Sequence, residues 1–487
     1  MQFAGTFVSL LFSSHFTTPE TGSTVFAAVS LANMFTNVTC LSILVGLSSG
    51  VETLASQYNG AKEYKEVGHC VWRCIIILNV VLFPVGIVWL FSKDIFVAIG
   101  VDPMVCEVIQ GFLRIRAILL PLDVISVSWE KYTMAVGVFA PSFYSSVVFN
   151  IVHVGCNSLF ILHLKLDYTY LAWSYVIADF VGVAFMLVIS WRHPNVQRTL
   201  VPFSYANAFS RWWEFLKLGI PATAMLCSEW WAYEVLSLFA SALGTDAIAA
   251  QAIIFQTTAF LFMIPLGLGI TTASIVGNAI GAKKRLLAIQ MAHLSLGTIC
   301  VMEFILAVLV TTKGDLFINV FTPDETVRSI AKQSLAYMGF FCFFDSIQGT
   351  CSGILRGAGK QYIGAITNVV GFYAIGLPCA FALCFRLKMG VDGLLLGMAG
   401  AVMFQNVVYL VCMFCYQDHI FPEIGFSALA DSSEHAGSSM VDTVGDLEDD
   451  DDSSSNGNGA LPGRSVAVGD IEMQTQKLGA SAMLATS

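Results

Sequence analysis

GLSSGVETLASQYNGAK at residues 46–62 returns in altered form as GLGITTASIVGNAIGAK at residues 267–283. The two stretches share a Gly-Leu start and a Gly-Ala-Lys end at a constant spacing of 221 residues. A second match follows at nearly the same spacing, because Asp123 aligns with Asp345 and Gly137 with Gly359. This internal similarity predicts that the chain is duplicated and folds as two equivalent halves.

The composition around these stretches is that of a membrane protein. Of the 487 residues, 56% are hydrophobic and only 12% are charged, and the mean hydropathy is +0.73. Soluble domains carry about 25% charged residues. Apolar stretches of about 20 residues recur along the chain, and each could cross the ~30 Å hydrocarbon layer as a helix that satisfies its own backbone. The sequence therefore predicts an all-α membrane protein.

We predict twelve transmembrane helices in two pseudo-symmetric six-helix bundles. The predicted spans lie near 1–13, 24–48, 71–92, 104–127, 134–163, 169–191, 216–241, 248–277, 288–311, 329–352, 362–384 and 391–416. The predicted domains are an N-lobe at 1–191, a cytoplasmic linker at 192–215, a C-lobe at 216–416 and an acidic tail at 417–487. An even number of spans in each half gives both halves one orientation, an arrangement in which two bundles enclose a site and open alternately to each side.

The first predicted helix is short. Residues 1–13 hold fewer apolar positions than the ~20 that a span needs, and the repeat places the counterpart of residue 216 before Met1. Either the start of the chain is truncated or neighbouring helices stabilise this short helix. We adopt truncation as the expectation.

The negative charge is concentrated at the C-terminus. The net charge is -10, and residues 417–487 contain 13 acids, including LEDDDD at 447–452, against Arg464 and Lys477. We expect this tail to be disordered, with a solubilising or regulatory role. Basic residues such as Lys62 and Lys283 concentrate in the loops after even-numbered spans, so the positive-inside rule predicts that both termini are cytoplasmic.

Two acids interrupt the apolar span around CSEWWAYE at 227–234, namely Glu229 and Glu234. An ionised carboxylate in hydrocarbon costs from about 2.5 kcal/mol upward, so such acids are functional candidates. Burial disfavours the charged form, and such a group can take up a proton on one side and release it on the other. This pattern predicts a proton-coupled antiporter. The alternative is an interfacial Trp/Tyr belt whose glutamate reaches water.

The neighbours of Glu229 indicate the ligand class. Tyr233, four residues later, shares a helical face with Glu229, and Trp230 lies beside them. An acid with aromatic walls binds organic cations through charge and cation–π attraction. Glu234 is rotated by about 140° from Glu229 and therefore faces elsewhere.

A third acid, Asp345, lies in the aromatic stretch FFCFFDSIQG. Its repeat counterpart Asp123 has Arg116 on a similar helical face, so we interpret Asp123 as part of a neutralised structural pair and rank Asp345 above it as a titrating site. His153 stands alone and is expected to be a structural hydrogen-bond partner.

The chain from about residue 2 to 416 resembles the multidrug and toxic compound extrusion (MATE) family in its eukaryotic branch. CSEWWAYE, MIPLGLGITTASIVGNAIGAK and GILRGAGKQ carry the resemblance, in that order. It implies two lobes of six spans and export of organic cations, xenobiotics or secondary metabolites in exchange for protons. The resemblance implies that Glu229 is the principal proton- and cation-binding acid, that Glu234 supports it, and that Asp345 occupies an acidic position of the family.

The resemblance also implies the residues of the substrate cavity, which would include Gln2, Asn37, Trp230 and Tyr233. Phe255, Phe262 and Gln256 stand where animal members have two tyrosines and a glutamate. The pocket would then be more apolar and less anionic, which argues against selectivity for small hydrophilic cations. Bacterial relatives use an acid on the first helix, and residues 1–13 contain none, so coupling through the N-lobe is not expected.

Other function classes fit the sequence less well. A channel would be expected to show rings of polar pore residues, and an enzyme a cluster of catalytic side chains. The alternative function is a flippase for a lipid or lipid-linked sugar, which should carry several intramembrane cations, whereas only Arg114 and Arg116 come close. The CxxC at 412–415 is too weak a signal for a zinc site, and no metal or cofactor is predicted.

The predicted partners are a small organic substrate, protons rather than sodium, and membrane lipids, without nucleic acid. We expect a functional monomer in the plasma membrane or in a vacuolar or other endomembrane.

Overall fold

The structure is a computed structural model that describes residues 5, 8, 9, 12, 19–314, 318 and 325–422. Helices make up the regular structure of these residues, and no strand occurs among them, which confirms the all-α prediction. The α-helices are α1 (Pro19–Thr36), α2 (Ser42–Ala61), α3 (Tyr64–Leu90), α4 (Ser92–Ala98), α5 (Pro103–Ala135), α6 (Ala140–Asn157), α7 (Thr169–Trp191), α8 (Pro194–Thr199), α9 (Tyr205–Ala208), α10 (Trp212–Ser241), α11 (Thr245–Gly281), α12 (Arg285–Lys313), α13 (Glu325–Gln333), α14 (Leu335–Gly357), α15 (Gln361–Val369), α16 (Leu377–Phe381), α17 (Val391–Cys415) and α18 (Gln417–Ile420).

Four π-helical segments lie between or after these helices. They are Asn37–Leu41, Ser158–His163, Val370–Gly376 and Ala382–Arg386. The first joins α1 to α2 into one continuous helix, and the predicted cavity residue Asn37 is its first residue. π-helical turns inside α-helices occur frequently at functional sites.

Eight helices in the described ranges are long and apolar enough to cross a membrane: Thr24–Ala61, Tyr64–Leu90, Ala140–His163, Thr169–Trp191, Ala249–Gly281, Arg285–Lys313, Gln361–Arg386 and Val391–Cys415. Three further long helices, α5, α10 and α14, coincide with predicted spans but carry more polar or charged residues. The count of twelve and the domain boundaries stay predictions. The predicted span at 1–13 and the acidic tail lie almost entirely outside the described residues.

The second predicted span ends too early. We placed it at 24–48, whereas the helix continues to Ala61 through Glu52, Thr53 and Gln57. Almost every residue of α2 is buried. The polar continuation belongs to the helix because its side chains find partners in the other half of the protein, which hydropathy along the chain does not register.

The backbone repeats where the sequence repeats. Lys62 and Lys283 both have the left-handed conformation, with φ of 67° and 57°, directly after α2 and shortly after α11. Gly137 and Gly359 also pair, with φ of 77° and 73°. Left-handed lysine is uncommon, so its recurrence at aligned positions shows that the two halves share their local fold.

Each half has its own hydrophobic core. One large cluster of buried side chains is drawn from residues between 25 and 218, and two others from residues between 232 and 421. The first cluster also includes Phe215 and Leu218 of α10, so this helix packs against the core of the first half.

The halves meet through four hydrogen bonds that follow the repeat, which we call the mirrored interface. Its acceptors are backbone carbonyls at the C-terminal ends of α5 and α14, which have no partner within their own helix. The bonds are Thr53 Oγ1 to Arg356 O (2.7 Å), Gln57 Nε2 to Gly357 O (3.1 Å), Ser274 Oγ to Met134 O (2.8 Å) and Asn278 Nδ2 to Ala135 O (2.9 Å). Donors and acceptors in one pair of bonds are the repeat counterparts of those in the other pair.

Glycines allow the ends of α2 and α11 to approach closely beside these bonds. A Cβ on Gly60 would overlap the carbonyl of Asn278, and a Cβ on Gly281 would overlap the carbonyl of Gln57. Asn59 Nδ2 also donates to Asn278 Oδ1 at 2.6 Å. Any side chain at either glycine would force the halves apart at this end.

Candidate functional site

The structure brings Glu229 and Asp345 together with Tyr233 in the second half. Glu229 and Tyr233 lie one turn apart on α10, and Asp345 lies on α14. The hydroxyl of Tyr233 donates to Asp345 Oδ1 at 3.4 Å. Asp345 is buried, whereas Glu229 is half-buried, so the pair combines an enclosed carboxyl group with a partly exposed one.

A network of polar side chains from α14, α15 and α17 surrounds Glu229. The side chain of Gln348, one turn after Asp345, lies within hydrogen-bonding reach of the Glu229 carboxyl group and also donates to Asn368 Oδ1 at 3.4 Å. Asn368 Oδ1 accepts a second bond from the Tyr409 hydroxyl at 2.6 Å, and its Nδ2 donates to the Met225 carbonyl at 3.1 Å. A buried network satisfied in this way holds its members in one arrangement.

Aromatic rings surround the Tyr233 side of the site. The ring of Tyr233 packs edge-on against Phe255, with centroids 5.7 Å apart, and its centroid lies 6.4 Å from those of Phe341 and Phe372. Phe262 lies against α14 at Gly349, one turn beyond Asp345. Phe255 thus packs against Tyr233, and Phe262 lies against α14 near Asp345; their role in a substrate cavity stays a prediction.

Glu303 on α12 is a further buried acid, which the sequence analysis did not single out. It is 1% exposed, although its neighbours Phe304 and Ile305 are 64% and 61% exposed on the outer face of the same helix. Its carboxyl group lies within hydrogen-bonding reach of Ser346, and its charge acts on Asp345. The available signal was an isolated acid in the apolar run CVMEFILAVL.

A family model for MatE matches residues 1–159 and 221–382, which is more than half of the chain. The chain belongs to the MatE family. Multidrug and toxin extrusion protein 1 of Danio rerio is 31% identical over 415 residues, which cover 85% of this chain and 69% of that protein. The protein of the same name from Mus musculus is 33% identical over 411 residues, which cover 84% of this chain and 71% of that one.

The fold agrees with this membership. The crystal structure of the eukaryotic MATE transporter AtDTX14 matches with a TM-score of 0.78 at 24% identity, covering 86% of this chain and 94% of that one. MatE proteins are transporters and not enzymes, so this chain is an integral membrane transporter.

The remaining predicted site residues of this MatE protein have different surroundings. Glu234 is half-buried on another face of α10, and no hydrogen bond or ion pair of its side chain occurs among the described residues. Trp230 packs against the core of the first half, and Asn37 is half-buried at its π-helical turn. Gln2 lies outside the described residues.

The first half of the MatE fold contains its own buried charges. Arg116 and Asp123 are both buried. The charges of Asp123 and of a second acid, Asp179, which the sequence analysis did not single out, both act on Arg116. The guanidinium of Arg116 lies 3.9 Å from the centroid of the Tyr175 ring. His153, predicted to be structural, is fully buried and lies 3.4 Å from the Ser9 hydroxyl.

Proposed function

We propose that the protein is an antiporter that exports small organic cations in exchange for protons by alternating access. The carrying observation is the pairing of Glu229 with Asp345 beside Tyr233, where one carboxyl group is partly exposed and the other is enclosed. A site of this kind can bind either a proton or a cationic substrate, but the two ligands compete for the same negative charge.

The electrostatic surroundings of the two carboxyl groups support proton coupling. Neither Glu229 nor Asp345 forms a salt bridge in the described part of the chain. Two neighbouring carboxyl groups without such a partner do not readily carry two negative charges, so the pair retains one proton and exchanges the second. Protons rather than sodium are the proposed coupling ion.

The aromatic surroundings support a lipophilic organic cation as substrate. Tyr233 and Phe255 provide ring faces and edges, while Gln256 in place of an acid is exposed. Cation–π attraction strengthens when the cation is desolvated, which favours substrates with little hydration. The curated relatives are multidrug and toxin extrusion proteins, in line with organic substrates of varied structure.

A flux assay tests the proposal. Purified protein is reconstituted in liposomes loaded with a fluorescent organic cation, and proton or sodium gradients are imposed separately. We expect an inward proton gradient to drive efflux of the cation, and we expect no efflux when only a sodium gradient is imposed. Glu229→Gln should abolish the proton-driven flux while the variant remains monodisperse on gel filtration.

Glu107→Gln is the matched control, because Glu107 is a surface carboxylate paired with Lys93 at 2.7 Å, and its flux should equal that of the unmodified protein. Unchanged proton-driven flux in Glu229→Gln would contradict the assigned role. If the protein moved a fluorescent lipid but no organic cation, the proposed function would be that of a flippase instead of an antiporter.

A further inference from the structure

Arg356 stands where the mirrored interface meets the carboxyl site. It lies in the last turn of α14, the helix that also carries Asp345. Its backbone carbonyl accepts the bond from Thr53 of the other half, and its Nε lies 3.8 Å from Oε2 of Glu52, also of the other half. Its positive charge acts on Glu229 as well. Arg356 therefore contacts the other half directly at the interface, and its charge acts on the site from the end of the helix that carries Asp345.

Glu52 is the buried centre of a charge cluster that bridges the halves. Its side chain is completely buried in α2, and its Oε2 lies 2.8 Å from Lys131 Nζ on α5. The repeat places Ala273 opposite Glu52 and Met134 opposite Arg356. The charges therefore occur in only one copy of the repeat, whereas the hydrogen bonds around them occur in both copies. The copy without charges still holds the halves together, so the charges are not required for that contact alone.

The titratable groups that face Glu229 come from several helices. Asp345 lies on α14, Tyr233 on α10 itself and Tyr409 on α17, and Glu303 on α12 faces Asp345. If Asp345 retains the shared proton, Glu229 is the group whose charge changes during transport. Four charges then determine the net charge of the closed interface: the negative charges of Glu52 and Glu229 and the positive charges of Lys131 and Arg356.

We propose that Arg356 is a positioning residue that allows the mirrored interface to open only when Glu229 has been neutralised by a proton or by a cationic substrate. The inference rests on the proposed function. With Glu229 ionised, two carboxylates balance two cations and the closed interface is neutral. Neutralising Glu229 leaves one positive charge in excess at a buried contact, and burying an unbalanced charge is costly, so separation and hydration of the halves become favourable. An empty, ionised carrier stays closed, which prevents uncoupled leak.

Distance measurements across the interface test this directly. Lys62 and Lys283 are exposed repeat counterparts beside Gly60 and Gly281. Spin labels carried by unnatural amino acids at these two positions leave the native cysteines in place. In substrate-free protein, acidic buffer should raise the ratio of separated to closed molecules by about tenfold relative to alkaline buffer, the effect of one charge at roughly 10 Å in a partly buried site.

Removing the charge of Arg356 should reverse the direction in which pH shifts the ratio of separated to closed molecules. In Arg356→Gln, Glu52 and Lys131 balance each other, so ionised Glu229 is now the excess charge and acidic buffer should favour closure instead. Arg356→Lys should keep the original direction, and Glu229→Gln should lose the pH dependence. Arg386→Gln is the control, since Arg386 is an exposed cation at the end of another segment, and it should behave like the unmodified protein.

A second variant guards against a folding defect in Arg356→Gln. Glu52→Gln should keep the original direction with fewer closed molecules at both pH values. If acidic buffer still favoured separation in Arg356→Gln, or if pH did not alter the ratio of separated to closed molecules in the unmodified protein, the proposed role of Arg356 would be wrong. Proton-driven flux without the reversal would refute this inference alone, whereas the reversal without proton-driven flux would refute the proposed antiport alone.

Discussion

Replacing Thr53 by valine should shift the protein toward states in which the two halves are separated. The hydroxyl of Thr53 donates to the Arg356 carbonyl at 2.7 Å and accepts from Gln361 Nε2 at 2.7 Å. Loss of the first bond removes about 1 kcal/mol. The buried Gln361 amide then keeps only its long bond to the Arg356 carbonyl at 3.4 Å, which adds about 1 kcal/mol. A total of about 2 kcal/mol corresponds to a change of roughly thirtyfold in the ratio of closed to separated molecules.

The repeat counterpart provides an internal comparison. Ser274 donates to the Met134 carbonyl at 2.8 Å, and the amide that donates to its hydroxyl, that of Asn278, lies at 3.5 Å, whereas Gln361 donates to Thr53 at 2.7 Å. The Asn278 amide also keeps its bond to the Ala135 carbonyl at 2.9 Å when the Ser274 hydroxyl is removed. Ser274→Ala should therefore cost only about 1 kcal/mol, which is roughly fivefold in the same ratio. Thr53→Ser and Ser274→Thr keep the hydroxyl groups and should leave the ratio unchanged.

The assay is the distance distribution between spin labels at positions 62 and 283 in substrate-free protein at one pH. A larger shift for Ser274→Ala than for Thr53→Val would refute the ranking by hydrogen-bond strength. If neither variant altered the distribution, the mirrored interface would have no part in closure.

Three further outcomes are expected. Glu303→Gln should move the pH profile of proton-driven flux to lower pH, because one negative charge fewer then opposes ionisation of the Glu229–Asp345 pair; an unchanged profile would place Glu303 outside the coupling site. Asn368→Ala removes three buried hydrogen bonds and should lower the free energy of unfolding by about 3 kcal/mol, measured by detergent titration against Asn150→Ala, which removes one local bond. Burial, and then the positive charge of Lys217, lower the pKa of the Lys360 amine outside the membrane, so Lys217→Gln should move the midpoint of Lys360 acylation to higher pH; a midpoint that stayed in place would contradict this coupling.

The sequence was most informative where one helix or one repeat decides the outcome. Apolar length located the long helices to within several residues, except where α2 continues through buried polar side chains. The stretch at 46–62 could be aligned with 267–283 because close helix contact requires the same small residues in both halves. Helical spacing also placed Glu229 and Tyr233 on one face, as the structure has them.

The acids that the sequence analysis did not single out each occur within otherwise apolar or repeated segments. Glu303 is one acid in a helix that is mostly apolar, and Asp179 lies in a similar setting in α7. Glu52 lies within the repeated stretch itself, where its charge departs from the repeat. None of these has a sequence neighbour that identifies its partner.

The sequence alone determined that the chain is helical, membrane-spanning and duplicated, because hydrophobic length and periodicity are properties of single segments. Only the tertiary structure decided that Tyr233 and Glu229 come close to Asp345 and that Arg356 of one half approaches Glu52 of the other. These pairings join residues more than a hundred positions apart, and they depend on which helices are neighbours and how each is rotated. That choice is made by side-chain packing between helices, and the periodicity of a single helix does not contain it.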